Sequence, residues 1–154
     1  MTNRSRYARG KAIESAEVVA AFRAIGTRER DPGLRNPDTL ARRFLGLKYG
    51  LMARFHKLTK LYAERAFPGM YWYFLARTKH LDHLLATAVA EGAEQVVLLG
   101  AGYDTRACRF EGDLAGTRVF EVDLRATQER KRARLDREPP SNVTYVDIDF
   151  TRQS

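Results

Sequence analysis

Residues 95–106 read QVVLLGAGYDTR, and their types suit the binding of a nucleotide-like cofactor. Val96, Val97, Leu98 and Leu99 form a continuous apolar run, the pattern of a strand buried on both faces in a parallel sheet. The run breaks into Gly100-Ala101-Gly102, where bare backbone lets a ligand come close. Asp104-Thr105 then offers a helix start. Strand, glycine turn and helix start together suggest a cofactor site, against the plainer alternative of a connection that happens to hold two glycines. About twenty residues further on, the segment VFEVD ends in Glu121 and Asp123. An acid there can accept hydrogen bonds from ribose hydroxyls at the carboxyl edge of the sheet. A third segment ends in Asp147-Ile148-Asp149-Phe150. Asp149 could accept an adenine amino group with Phe150 against the ring face; a turn and a core phenylalanine is the competing reading.

The choice of cofactor turns on charge. A dinucleotide fingerprint wants a third glycine where Thr105 stands. Asp104 would repel a pyrophosphate, yet suits the cationic part of S-adenosylmethionine. Arg77, in YFLARTKHLD, could pair bidentately with a methionine carboxylate, or be one more solvated arginine. A nicotinamide-dependent oxidoreductase is therefore the alternative class. A degenerate, non-catalytic fragment is a third.

Several elements must position these residues. Residues 1–10 are polar and read as frayed. Apolar residues at helical spacing predict a helix over 11–25, stopped by Gly26. A charged loop with Pro32-Gly33 follows. Asn36 reads as an N-cap and Pro37 as the first residue of a short helix to Leu45. Leu51, Phe55, Leu58 and Tyr62 share one face of a helix over 47–67, and another helix is expected over 70–91. Within that last helix Tyr71, Tyr73, His80 and His83 are acceptor-site candidates, with packing as the plainer role. After Gly92 short strands are expected at 95–100, 117–122 and 143–148, with helices near 104–110 and 125–136. Strands alternating with helices argue for parallel βαβ units. The fold class is thus α/β: a helical N-terminal cap over 1–91, then over 92–154 the first half of a Rossmann-like sheet.

Composition narrows the classes further. The chain has 154 residues, 44% of them hydrophobic, enough for a real core. Its net charge of +8 comes without a nucleic-acid motif, so a solvated basic surface is expected and no nucleic-acid partner. The single cysteine, Cys108, rules out an internal disulfide and a cysteine-based zinc site, and fits a reducing, cytoplasmic setting. No metal site is expected. No apolar run is long enough to span a bilayer, and no membrane partner is expected.

Four blocks, YWYFLARTKHLD, VVLLGAGYDTRACRF, VFEVDLRATQERKRARL and VTYVDIDF, resemble in order and spacing the leucine carboxyl methyltransferase family. Within it they are similar to the bacterial branch of polyketide-type O-methyltransferases. The resemblance covers residues 45–154. It implies a class I S-adenosyl-L-methionine-dependent methyltransferase acting on a small-molecule carboxyl or hydroxyl acceptor. It also implies roles. Arg77 would bind the cofactor carboxylate, Gly100 and Gly102 would shape the methionine pocket, and Asp104 would sit near the amino group. Asp123 would bind ribose with Glu121 supporting it, and Asp149 and Phe150 would flank adenine. No catalytic base is assigned, because a carboxylate acceptor is already ionised. The family commonly has proline where Arg125 stands. Its members also continue well beyond Ser154, so a partial chain is expected, with little methyl transfer of its own and a tendency to self-associate through an open sheet edge.

Overall fold

The computed structural model describes residues 3–150, with side chains from Ile13 onward apart from Gly10. Ten elements follow one another: α1 (Asn3–Gly26), a 3-10 helix (Thr39–Phe44), α2 (Leu47–Arg54), α3 (His56–Ala66), α4 (Met70–Ala90), β1 (Gln95–Leu99), α5 (Arg106–Arg109), β2 (Arg118–Asp123), α6 (Arg125–Arg132) and β3 (Val143–Asp147). Helices before residue 92 and short strands alternating with helices after it match the expected change of period. Two units emerge. One is Glu17–Leu85; the other joins the chain from Ala86 onward to the stretch before Glu17.

The helical unit is built on a core of Phe22, Ile25, Ala53, Ala63, Tyr71 and Leu75. Phe22 stacks on Phe74 at 5.4 Å and meets Tyr71 edge-on at 6.1 Å. The Tyr71 hydroxyl donates to Glu29 Oε1 at 2.5 Å, and Lys60 Nζ donates to the same oxygen at 2.6 Å. Burial pushes the Glu29 carboxyl up, but these two bonds outweigh it and leave it below its ordinary value. For Tyr71, burial and then the bond to Glu29 push the phenol up. Tyr71 is thus a packed core residue, while Tyr73 is exposed.

Three details of the helical reading change. First, α1 begins at Asn3, not at residue 11; nothing in RSRYARGK breaks a helix, and Arg, Ala and Lys favour one. Second, the cap of the short helix is Asp38, whose carboxylate accepts from Ala41 N at 3.0 Å. Asn36 instead accepts from Asp38 N at 2.9 Å, so the asparagine shapes the turn that presents the cap. Third, the single helix over 47–67 breaks at Phe55 (φ −92°, ψ 43°) into α2 and α3. Its apolar stripe faces outward: the buried residues are Tyr49, Ala53, Thr59 and Ala63.

In the second unit the three strands form a parallel sheet in the order β1-β2-β3. Gln95 to Leu99 pair with Arg118 to Val122, and Val119 to Asp123 pair with Val143 to Asp147. The register brings the carboxyl ends of all three strands to one edge. β1 departs from the expected two-sided burial. Its exposure alternates, and Val97 and Leu99 lie open, Leu99 at 71%. Two-sided burial needs a layer on each face of a sheet, and no described residue covers this one.

Helix α6 stops at Arg132, short of residue 136, and α5 is one turn of four residues.

Candidate functional site

The glycine turn after β1 is held by backbone conformations that favour glycine. Gly100 and Gly102 have φ of +61° and +50°, a left-handed region where a Cβ crowds the carbonyl. A Cβ on Gly100 would meet nothing within 4 Å, so the approach to this backbone is open. Ala101 N donates to Val122 O at 3.1 Å, tying the turn to β2, and Asp104 N closes it on Ala101 O at 2.7 Å. Gly102→Ala is expected to cost about 1–2 kcal/mol in a denaturant melt, from backbone strain alone. An unchanged midpoint would show that the turn can relax to negative φ.

Asp123 is latched to this turn. Its Oδ2 accepts from Gly102 N and its Oδ1 from Leu124 N, each at 2.6 Å. Both bonds come from backbone, so among the described residues no cation neutralises this half-buried carboxylate. Its two neighbours differ. Asp104 accepts from Arg106 N at 2.8 Å and forms an ion pair with the Arg106 guanidinium, itself buried. Glu121 Oε2 accepts from Lys131 Nζ at 2.6 Å, with the two side chains 1% and 2% exposed. Burial pushes the Glu121 carboxyl up, Lys131 opposes it, and the charges of Asp104 and Asp123 push it further up. Three carboxylates therefore gather at the ends of β1 and β2, and two of them carry their own cation.

Helix α6 supports this edge through a polar face. Thr127, Gln128 and Lys131 are its buried residues. Gln128 Nε2 donates to Glu121 O at 3.1 Å and to Val146 O at 2.8 Å, so one amide spans β2 and β3. Arg125 opens the helix by donating its N to Asp147 Oδ1 at 2.9 Å and its Nε to Oδ2 at 3.0 Å. A proline at that position could not make the first bond.

Of the residues singled out in the sequence, Gly100, Gly102, Asp104, Glu121 and Asp123 gather around the turn. Asp149 and Phe150 follow β3 at the same edge of the sheet, Asp149 half-buried and Phe150 exposed. Arg77 is an exposed residue of α4 in the helical unit. Sequence reasoning missed Arg106, Gln128 and Lys131. The Asp104/Arg106 spacing offered a local signal for the first. Nothing in the sequence distinguished Lys131 among the other basic residues of α6.

Such an edge, with open glycine backbone beside a carboxylate lacking a cation, can accept hydrogen bonds from a hydroxylated ligand and favours a cationic one. Several known proteins are similar to this chain in sequence. A protein of Frankia alni, provisionally named an S-adenosyl-L-methionine-dependent methyltransferase, is 41% identical over 109 residues, covering 71% of this chain and 37% of that protein. One of Mycolicibacterium smegmatis with the same provisional name is 34% identical over 149 residues, covering 88% of this chain and 47% of that protein. A third, from Streptomyces avermitilis, is 53% identical over 70 residues, 40% of this chain and 24% of its own length. The chain thus spans less than half the length of these relatives. A family model described as leucine carboxyl methyltransferase matches residues 16–154, and the chain belongs to that family.

Proposed function

We propose that this chain carries the S-adenosyl-L-methionine-binding portion of an O-methyltransferase. The observation that carries the reading is the Asp123 carboxylate, held by Gly102 N and Leu124 N and, among the described residues, left without a cation. Each of its oxygens keeps lone-pair capacity for a ribose hydroxyl. The relatives' provisional names point to the same cofactor. The residues fit it: open backbone at Gly100 suits the methionine portion, and an acidic edge suits a cation better than a pyrophosphate.

In this reading Asp123 orients the ribose, and Glu121, locked to Lys131, supports the strand end beneath it. Asp104 lies near the amino group, steadied by Arg106. Asp149 and Phe150 flank the adenine, and Arg77 binds the carboxylate. When bound, the cofactor supplies an electrophilic methyl on a sulfonium. The protein's work is then positioning an acceptor oxygen in line with it. The acceptor is a small molecule of polyketide type with a carboxyl or hydroxyl group. A carboxylate is already ionised near neutral pH and needs no general base. We place the protein in the cytoplasm, in keeping with its single free thiol, Cys108. Among the described residues no helix is long and apolar enough to cross a membrane. Among the described residues β1 and β3 each have one partner strand, so self-association through an open edge belongs to the same proposal.

Titration calorimetry tests the cofactor. S-adenosylmethionine and S-adenosylhomocysteine should bind, and NADH should not. Tighter binding of NADH would reverse the assignment to an oxidoreductase.

A further inference from the structure

The helical unit presents a surface that its own core does not use. Among the described residues, seven of the thirteen exposed large hydrophobics fall within residues 47–67. Five of them follow the outward faces of two helices, and Phe55 and Phe67 stand at the helix ends. On α2, Leu47 and Leu51 stand one turn apart, Leu47 at 93% exposure, opposite the buried Tyr49 and Ala53. On α3, Leu58, Leu61 and Tyr62 do the same, opposite Thr59 and Ala63. Ala53 and Ala63 belong to one core cluster, so both outward faces look away from the same core. Scattered surface leucines need no explanation, but a run of them at helical spacing marks a contact surface.

Charge indicates what that surface meets. Residues 47–67 hold five lysines and arginines against one acid, Glu64. Lys60 is turned inward, paired with Glu29 and placed over the Trp72 ring at 4.2 Å. Arg54, Lys57 and Arg65 are exposed and make no ion pair among the described residues. Leucines and aromatics interleaved with long basic side chains are the composition of a helix lying in a lipid interface. There the apolar groups enter the acyl boundary while the cations reach anionic headgroups.

We propose that the outward face of α2 and α3 docks on an anionic lipid surface. The sequence expectation of no membrane partner rested on the lack of a spanning segment, and a peripheral contact needs none. A basic protein (+8) is also drawn to such a surface before any apolar contact forms.

Vesicle co-sedimentation tests this. The chain should sediment with phosphatidylcholine vesicles containing phosphatidylglycerol, should stay in the supernatant with pure phosphatidylcholine vesicles, and should detach as salt is raised. Lys57→Glu with Arg65→Glu should lower partitioning by about tenfold or more. Leu47→Ser with Leu58→Ser should lower it comparably, with circular dichroism unchanged because all four positions are exposed. Failure to bind anionic vesicles, equal binding to neutral ones, or indifference to both variant pairs would overturn the proposal. So would a dimer in light scattering that Leu47→Ser with Leu58→Ser dissolves, which would assign this face to a second copy.

Discussion

Lys131→Met is expected to destabilise the chain by about 3–5 kcal/mol at neutral pH. Among the described residues Lys131 is the cation partner of Glu121, and both side chains are withdrawn from water. Removing the ammonium leaves a carboxylate buried under α6, which must either ionise there unpaired or take up a proton. The second course sets the pH dependence. Burial already pushes the Glu121 carboxyl above its ordinary value, and losing Lys131 pushes it further. The folded variant then holds a proton that the unfolded chain releases, so its stability falls as pH rises from the ordinary carboxylate range through the raised value. Denaturant melts at about pH 5 and 8 should show the larger deficit at the higher pH. Glu121→Leu combined with Lys131→Met should recover most of the loss, since a well-packed apolar pair can replace a buried ion pair. A single-variant deficit below about 1 kcal/mol would mean that water reaches the pair.

That ion pair shows where the sequence was legible and where it was not. The glycine turn could be read directly. Glycines after an apolar run mark a bend, and the structure gives Gly100 and Gly102 the positive φ that favours glycine. Parallel pairing followed from strands alternating with helices. The sequence marks a helix over 125–136 but not its buried side, because hydrophobic periodicity cannot reveal a face built from Thr127, Gln128 and Lys131. Its burial depends on partners that tertiary structure alone supplies: two strand carbonyls for Gln128 and one carboxylate for Lys131.

The opposite error occurred at 47–67. A periodic apolar stripe normally faces a core, yet here the buried face uses small or polar residues such as Ala53, Thr59 and Ala63. Periodicity reports that a face is apolar, not what lies against it. β1 repeats the lesson: four consecutive apolar residues do not reveal that Val97 and Leu99 stand open. Within the candidate site, residue types marked Asp104, Glu121 and Asp123 alike. Only the structure separates them, by giving Arg106 to the first and Lys131 to the second.

Asp123→Ala is therefore expected to have the largest effect on ligand binding, weakening S-adenosylmethionine by about 1.5–3 kcal/mol, roughly 10- to 150-fold in affinity. The carboxylate has no cation among the described residues and is held in place by Gly102 N and Leu124 N, so its orientation is set before a ligand arrives. The same two bonds complicate the test, because the alanine variant also leaves those amides without their acceptor. Asp123→Asn keeps the side chain's size and one acceptor oxygen while removing the charge, so its loss should be smaller. Comparing ligands separates contact from field. S-adenosylhomocysteine has the same ribose but no sulfonium charge. If Asp123 holds the ribose, both ligands should weaken by the same factor. If it acts only as a negative charge near the sulfonium, S-adenosylmethionine should lose affinity and S-adenosylhomocysteine should not. Calorimetry on samples with native circular dichroism decides between them. Unchanged affinity for both ligands would reduce Asp123 to a latch on the glycine turn and remove the central support for the proposed cofactor site.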